Sequence, residues 1–243
     1  MPGNIKLEDV MRLRKIPEAD GIVANSPYVI PDPENWRGRW RKGKDRPLCL
    51  EIGMGKGRFI IEMAGKHPEM DFIGIERYTS VLFRACEKMA GIPYHTPADE
   101  LERAGQPEEE FVPPENLRFL SVDARQLTDL FAEDEVDVIF LNFSDPWPKA
   151  RHADRRLTSR AYLERYEKIL RDGGRVEFKT DNIGLFAFSA EEFRAAPKWE
   201  LIASTMDLHR DPVLGHENVM TEYERKFSKL GNKICKLIAI CHK

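Results

Sequence analysis

No stretch of this chain approaches the roughly 18 consecutive apolar residues that a membrane-spanning helix needs. No short apolar core preceded by basic residues stands near the start, as a secretion signal would. Both absences point to a cytoplasmic protein with no place in a membrane. Cysteine is scarce: four in 243 residues, Cys49, Cys86, Cys235 and Cys241, with no Cys-x-x-Cys pair and no His at metal-ligand spacing. That argues against a disulfide framework and against a metal centre, and the four read as reduced, buried thiols. Internal repeats are missing. A strong net charge is missing too, since the sum is −3, although proteins that grip nucleic acid usually show a basic surface.

The distribution of charge says more than the sum. Residues 36–46, WRGRWRKGKDR, hold six Arg/Lys and one acid, and 149–160, KARHADRRLTSR, hold five Arg/Lys, one His and one acid. Residues 99–110, DELERAGQPEEE, hold six acids and one base. The chain is therefore segregated into basic and acidic blocks.

Its length suits one large domain, able to bury a sizeable core without staples. Residues 1–46 are polar and basic without sustained periodicity, and read as an N-terminal arm, exposed until it meets a partner. The domain proper is expected over 47–243. LCLEI (48–52), DFIGIE (71–76), LRFLSV (117–122), VDVIFLNF (136–143) and GRVEFKT (174–180) read as strands alternating with helices. Helices are expected from 57 to Pro68, over 79–90, from 157 to the glycine pair Gly173–Gly174, and over 183–196. WELIASTMDL (199–208) and NKICKLIAIC (232–241) read as two closing strands joined by a loop and paired antiparallel. Residues 91–116, with five prolines and the acidic block, form a surface insertion with a short helix near 98–104. The pattern predicts an α/β Rossmann-like, class I methyltransferase fold: a mostly parallel seven-stranded sheet with an antiparallel final strand.

The first strand runs into E-I-G-M-G-K-G, bringing Glu51, Gly53, Gly55 and Gly57 to the head of a helix. Glycines there let the backbone turn tightly and approach a ligand. The dinucleotide pattern G-x-G-x-x-G is not met, because Arg58 or Ile60 stands where the third glycine belongs. Glu51 would repel a pyrophosphate and welcome an ammonium. Glu76 ends the second strand, 19 residues beyond Gly57, where an acid can accept both hydroxyls of a ribose. Asp123 follows the third strand, where its carboxylate or the adjoining amides reach an adenine edge, unless it serves as a helix cap. Acids at successive strand ends converge on the crevice that binds ligands in open α/β sheets.

The fourth strand delivers N-F-S-D-P-W-P-K (142–149). Pro146 and Pro148 stiffen this loop, Trp147 offers a stacking face, and Asp145 places a carboxylate beside the crevice. Such a loop resembles the Asn/Asp-Pro-Pro-aromatic loop of amino-methyltransferases, with a different arrangement of prolines. Arg151, His152, Arg155 and Arg156 follow directly and suit phosphate contacts. Asp181, in FKTDN, closes the fifth strand toward the same crevice. Thr221, Tyr223 and Glu224, in TEYERKF, are placed to reach over it, Glu224 as acceptor for guanine's N1–H and N2–H₂.

Taken in order, EIGMGKG, IGIER, NFSDPWPKARHADRRL, FKTDN and TEYERKF resemble the bacterial-type tRNA (guanine-N7-)-methyltransferase family over about residues 48–241. The resemblance implies transfer of a methyl group from S-adenosylmethionine to N7 of a guanine in the tRNA variable loop. It implies adenosylmethionine contacts at Glu51, Glu76, Asp123 and Asp145, with Asp145 catalytic. It further implies tRNA contacts at Lys149, Asp181, Thr221, Glu222, Tyr223 and Glu224, and an RNA-facing segment Arg151–Arg156. The partner it implies is tRNA; the residues themselves call for no metal, and monomer and homodimer both stay open. Ala150 departs from the family, which commonly has a second basic residue there, and the insertion 91–116 is longer and more acidic than the family suggests. A methyltransferase acting on another RNA or DNA base is the alternative. A non-catalytic RNA-binding module would have lost one of the strand-end acids, and a nicotinamide oxidoreductase is disfavoured by Arg58.

Overall fold

The structure is a computed structural model and describes residues 16–43, 45–92 and 111–243. Five parallel strands form its centre: β1 (Leu48–Ile52), β2 (Asp71–Ile75), β3 (Leu117–Leu120), β4 (Val136–Asn142) and β5 (Leu170–Thr180). β6 (Trp199–Thr205) and β7 (Cys235–Cys241) complete a seven-stranded sheet of order β3-β2-β1-β4-β5-β7-β6. β7 lies between β5 and β6 and is antiparallel to both. This is the mostly parallel sheet with an antiparallel final strand that the pattern predicted.

Every residue of β1, β2 and β4 is buried, because helices cover both faces of the sheet and side chains alternate between them. Leu48, Leu50, Ile52, Ile139 and Leu141 enter one core, with Tyr166 and Phe193. Cys49, Phe72, Val138 and Phe140 enter the other, with Phe59 and Leu82. The covering helices are α1 (Ala19–Ala24), α2 (Arg58–Lys66), α3 (Thr79–Met89), α4 (Leu127–Leu130), α5 (Arg160–Ile169), α6 (Ile183–Ala195) and α7 (Glu222–Lys229). All four cysteines are buried and unpaired.

Three expectations need correction. The helix expected to run to Gly173 stops at Ile169, and the strand starts at Leu170, not 174. Leu170 is fully buried opposite Val136, where the β4–β5 register shifts, so tertiary packing draws this segment into the sheet. The loop expected before the last strand contains α7, which Thr221 caps by accepting a hydrogen bond from the Glu224 amide at 2.9 Å.

The third concerns the exposed arm, whose described part packs against the domain. Ile16 donates its amide to Ser80 Oγ at 3.0 Å, and Val29 bridges Phe119 beside β3. Farther along, Trp40 is buried, and its indole donates to the Leu130 carbonyl at 2.8 Å. Arg41 pairs with Asp137 at 2.9 Å and Arg46 with Asp71 at 3.0 Å. Asp71 and Asp137 stand at the starts of β2 and β4. These arginines of 36–46 thus neutralise acids at the end of the sheet away from the crevice. The short helix expected near 98–104 lies outside the described residues.

Candidate functional site

The crevice lies at the carboxyl ends of the parallel strands, where β1 gives way to the glycine loop. Gly53, Gly55 and Gly57 have φ of +73°, +60° and +77°, a region that side chains resist. At Gly57 the need is double, since a Cβ would stand 2.9 Å from that of Ala85. The loop is fixed to its neighbour by the Gly53 amide, which donates to the Ile75 carbonyl at 2.9 Å.

Glu51 is the most telling residue here. It is 1% exposed, and its Oε1 accepts from Asn142 Nδ2 at 2.7 Å. Its Oε2 is buried and receives no hydrogen bond. Burial pushes its pKa up to about 8, while Asn142, Lys179 and the nearby Ile60 amide temper the rise. A buried acceptor without a donor is costly unless something supplies one. Glu76 is also buried, and burial raises its pKa. Its carboxylate takes the Tyr78 amide at 3.0 Å and the Gly55 amide at 3.2 Å, tying the glycine loop to the end of β2.

Asp123 is in a different situation. It caps the short turn Ala124–Gln126, accepting from the Arg125 amide at 2.9 Å and from its guanidinium at 2.9 and 3.0 Å. The Arg125 hydrogen bond holds its pKa below the usual range. Its carboxylate is thus engaged as a cap, and the turn's own amides are engaged as well, Asp123's with Gln126 Oε1 at 3.3 Å and Gln126's with the Asp123 carbonyl at 3.0 Å.

Beyond β4 the chain makes a strained loop, with Phe143 at φ +52° and Trp147 at φ +40°. Such conformations cost on the order of 1–3 kcal/mol each and persist only when their surroundings fix them. Asp145 is exposed at the tip. The half-buried Trp147 ring meets His152 edge-on at 5.7 Å, with the Arg155 guanidinium 5.0 Å from its centre. Lys149, Arg151 and Arg155 are exposed. Arg156 turns inward to the loop's own carbonyls, Pro146 at 3.0 Å and Trp147 at 3.1 Å.

On the far side, α7 is locked down by a buried network. Lys179 Nζ donates to Glu224 Oε2 at 2.8 Å and to the Val219 carbonyl at 2.8 Å. Glu224 Oε1 meets His209 Nε2 at 2.8 Å and Asn218 Nδ2 at 2.6 Å. Burial alone would raise the pKa of Glu224, but Lys179 and the other donors bring it below its ordinary value. Glu224 is 0% exposed and both its oxygens are taken, so it cannot accept from a guanine edge in this arrangement. Its neighbours face the crevice. Glu222 pairs with Lys88, whose amine also meets the Lys56 carbonyl of the glycine loop at 2.9 Å. Tyr223 lies 4.9 Å from Phe143, and burial and the Asp181 carboxylate push its pKa up to about 12.

A family model described as "Putative methyltransferase" matches residues 45–237. The chain is 46% identical to the tRNA (guanine-N(7)-)-methyltransferase of Lachnoclostridium phytofermentans, over 96% of this chain and 100% of that one. With the protein of the same name from Geobacillus sp. it shares 47% identity over 92% of this chain and 93% of the other. The chain belongs to the tRNA (guanine-N7-)-methyltransferase family. Among solved structures it resembles the 16S rRNA methyltransferase KamB (TM-score 0.56, 16% identity, 86% of this chain and 92% of that one). An antibiotic-related methyltransferase is similarly close (TM-score 0.52, 17% identity, 82% and 88%). At such identities the likeness is one of fold, the class I methyltransferase fold.

The structure gathers Glu51, Glu76, the three glycines and the Asp145 loop at neighbouring strand ends, with Asp181 and Tyr223 across from them. It does not bring Glu224 or the Asp123 carboxylate into the open. Sequence reasoning missed Asn142 and Lys179, which hold Glu51 and Glu224. Both stand inside quoted motifs, NFSD and FKTD, and a polar residue within an apolar strand was the signal available. Among the described residues no cluster of His, Cys, Asp or Glu could hold a metal ion, and no helix is long and apolar enough to cross a membrane.

Proposed function

We propose that this chain methylates N7 of a guanine in tRNA, using S-adenosylmethionine, and works in the cytoplasm. The observation that carries the reading is the buried Glu51 oxygen without a donor, at the mouth of the glycine loop. It fits the ammonium of adenosylmethionine, whose charge would complete the half-satisfied carboxylate. Glu76 and the backbone of Gly53, Gly55 and Gly57 would hold the nucleoside part, with the turn at Asp123 bordering the adenine edge. The relatives' printed name supports the substrate, and a solved 16S rRNA adenine methyltransferase of like fold (TM-score 0.53, 13% identity) carries the cosubstrate SAM. The catalytic domain is assigned to 47–243, with 1–46 an N-terminal segment and 91–116 an insertion.

When bound, adenosylmethionine supplies an electrophilic methyl group on a sulfonium. Guanine N7 offers a lone pair and carries no proton, so no side chain has to act as general base. The residues' work is orientation, which brings N7 to about 3 Å from its target. Asp145 orients the base and supports the positive charge that develops on its ring. Trp147 offers a face beside it, and Asp181, Thr221, Glu222 and Tyr223 border the opposite side. Lys149, Arg151, His152 and Arg155 meet the RNA backbone.

Tritiated methyl transfer to unmodified tRNA tests the proposal, with and without replacement of the variable-loop guanine. Label should appear as N7-methylguanosine and vanish with that guanine; label on another base would overturn the reading. Asp145→Ala should lose most transfer while adenosylmethionine affinity changes little, and near-normal turnover would remove Asp145 from its role.

A further inference from the structure

Arg156 stands in the sequence as one of four side chains turned to RNA, yet its surroundings give it other work. Its Nε donates to the Pro146 carbonyl at 3.0 Å and its Nη2 to the Trp147 carbonyl at 3.1 Å. Its guanidinium also lies 4.2 Å from the ring centre of Phe188, a residue of α6. One side chain therefore grips two successive carbonyls of the loop and stacks on a helix of the domain.

The loop needs such a grip. Pro146 and Pro148 have no amide hydrogen to donate, so the segment around Trp147 forms few backbone bonds of its own. Phe143 and Trp147 both hold left-handed backbone angles, and strained residues relax when nothing outside fixes them. We propose that Arg156 is a positioning residue that fixes the Asp145–Trp147 loop from behind. Its part in the reaction runs through the loop and not through an RNA phosphate. This rests on the methyltransferase reading above, and it leaves Lys149, Arg151 and Arg155 as the exposed cations at that edge.

A charge contact and a fork differ in what they tolerate. Lysine keeps the charge and serves a phosphate, but it cannot span two carbonyls while lying flat on a ring. Arg156→Lys should therefore lower kcat at saturating tRNA by about 10- to 100-fold, as a misplaced catalytic loop does. Even in Arg156→Gln, which removes the charge, the dependence of tRNA affinity on salt should stay as in the unaltered protein. Loss of a phosphate contact would instead reduce the slope of log K against log salt by about 0.7–0.9. Fluorine NMR of protein labelled with 5-fluorotryptophan gives a readout independent of activity. Trp147→Phe identifies one of the four tryptophan signals, and Arg156→Lys should move that signal and leave the other three. Phe188→Leu, which removes only the stacking surface, should move the same signal and lower kcat in the same direction; it serves the purpose if the lysine variant does not fold. Unchanged kcat with an unmoved Trp147 signal would overturn the proposal, as would a lowered salt slope with kcat intact. Failure of the unaltered protein to methylate tRNA would defeat the reading of function, while the NMR comparison would still decide the role of Arg156.

Discussion

Replacing Glu51 by glutamine separates what this residue does for folding from what it does for binding. Burial pushes its pKa up to about 8, from an ordinary value of 4.5. The folded state thus binds the proton more tightly than the unfolded chain, and stability must fall as pH rises from about 4.5 to about 8. At about 1.4 kcal/mol per pH unit, the full penalty is on the order of 5 kcal/mol. Glutamine keeps an acceptor for Asn142, cannot ionise, and adds only a neutral amide in place of the unpaired oxygen. Near pH 5, where Glu51 is itself neutral, the two proteins should differ by about 1–3 kcal/mol or less. By pH 8.5 the gap should have moved by about 3–5 kcal/mol in favour of Glu51→Gln. Urea unfolding at the two pH values measures this. Binding should go the other way: loss of the buried charge costs about 2–5 kcal/mol of adenosylmethionine affinity, or about 30-fold to a few thousand-fold. Calorimetry should also show wild-type affinity rising up to about tenfold per pH unit between 6 and 7, as the carboxylate ionises. A stability gap that ignores pH, or a glutamine variant that binds normally, would refute the reasoning.

Other outcomes follow from the network beneath α7 and from the exposed basic edge. Lys179→Met leaves the Glu224 carboxylate buried without its cation and should destabilise the protein by about 3–5 kcal/mol; adding Glu224→Leu should recover most of that in thermal unfolding. Arg151→Ala should weaken binding of all tRNAs alike and reduce the salt slope by about 0.7–0.9, as filter binding across a salt series would record. A tRNA-specific loss would argue instead for a base contact.

The sheet was legible because its strands are short apolar runs separated by turn residues, and the ligand crevice because acids and glycines end those runs. What escaped reading depends on partners far apart in the chain. Leu170 looks helical by its neighbours and is drawn into the sheet by Val136. Glu224 sits in an ordinary amphipathic segment, and only the fold sets Lys179, His209 and Asn218 around it. Arg156 cannot be told from Arg155 by spacing; one points out beside Trp147, and the other reaches back to its carbonyl. The basic stretch 36–46 misled for the same reason, since Asp71 and Asp137 are the counterions that claim Arg46 and Arg41.

The bond between Glu51 and Asn142 joins residues 91 positions apart, and β1 meets β4 across a comparable span. Contacts of such long range close slowly and late. An early folding species with only its local helices in place has no partner for Glu51 and no crevice to offer. A molecule captured there would report a finished topology, and by mass action it would draw the folding equilibrium toward that state.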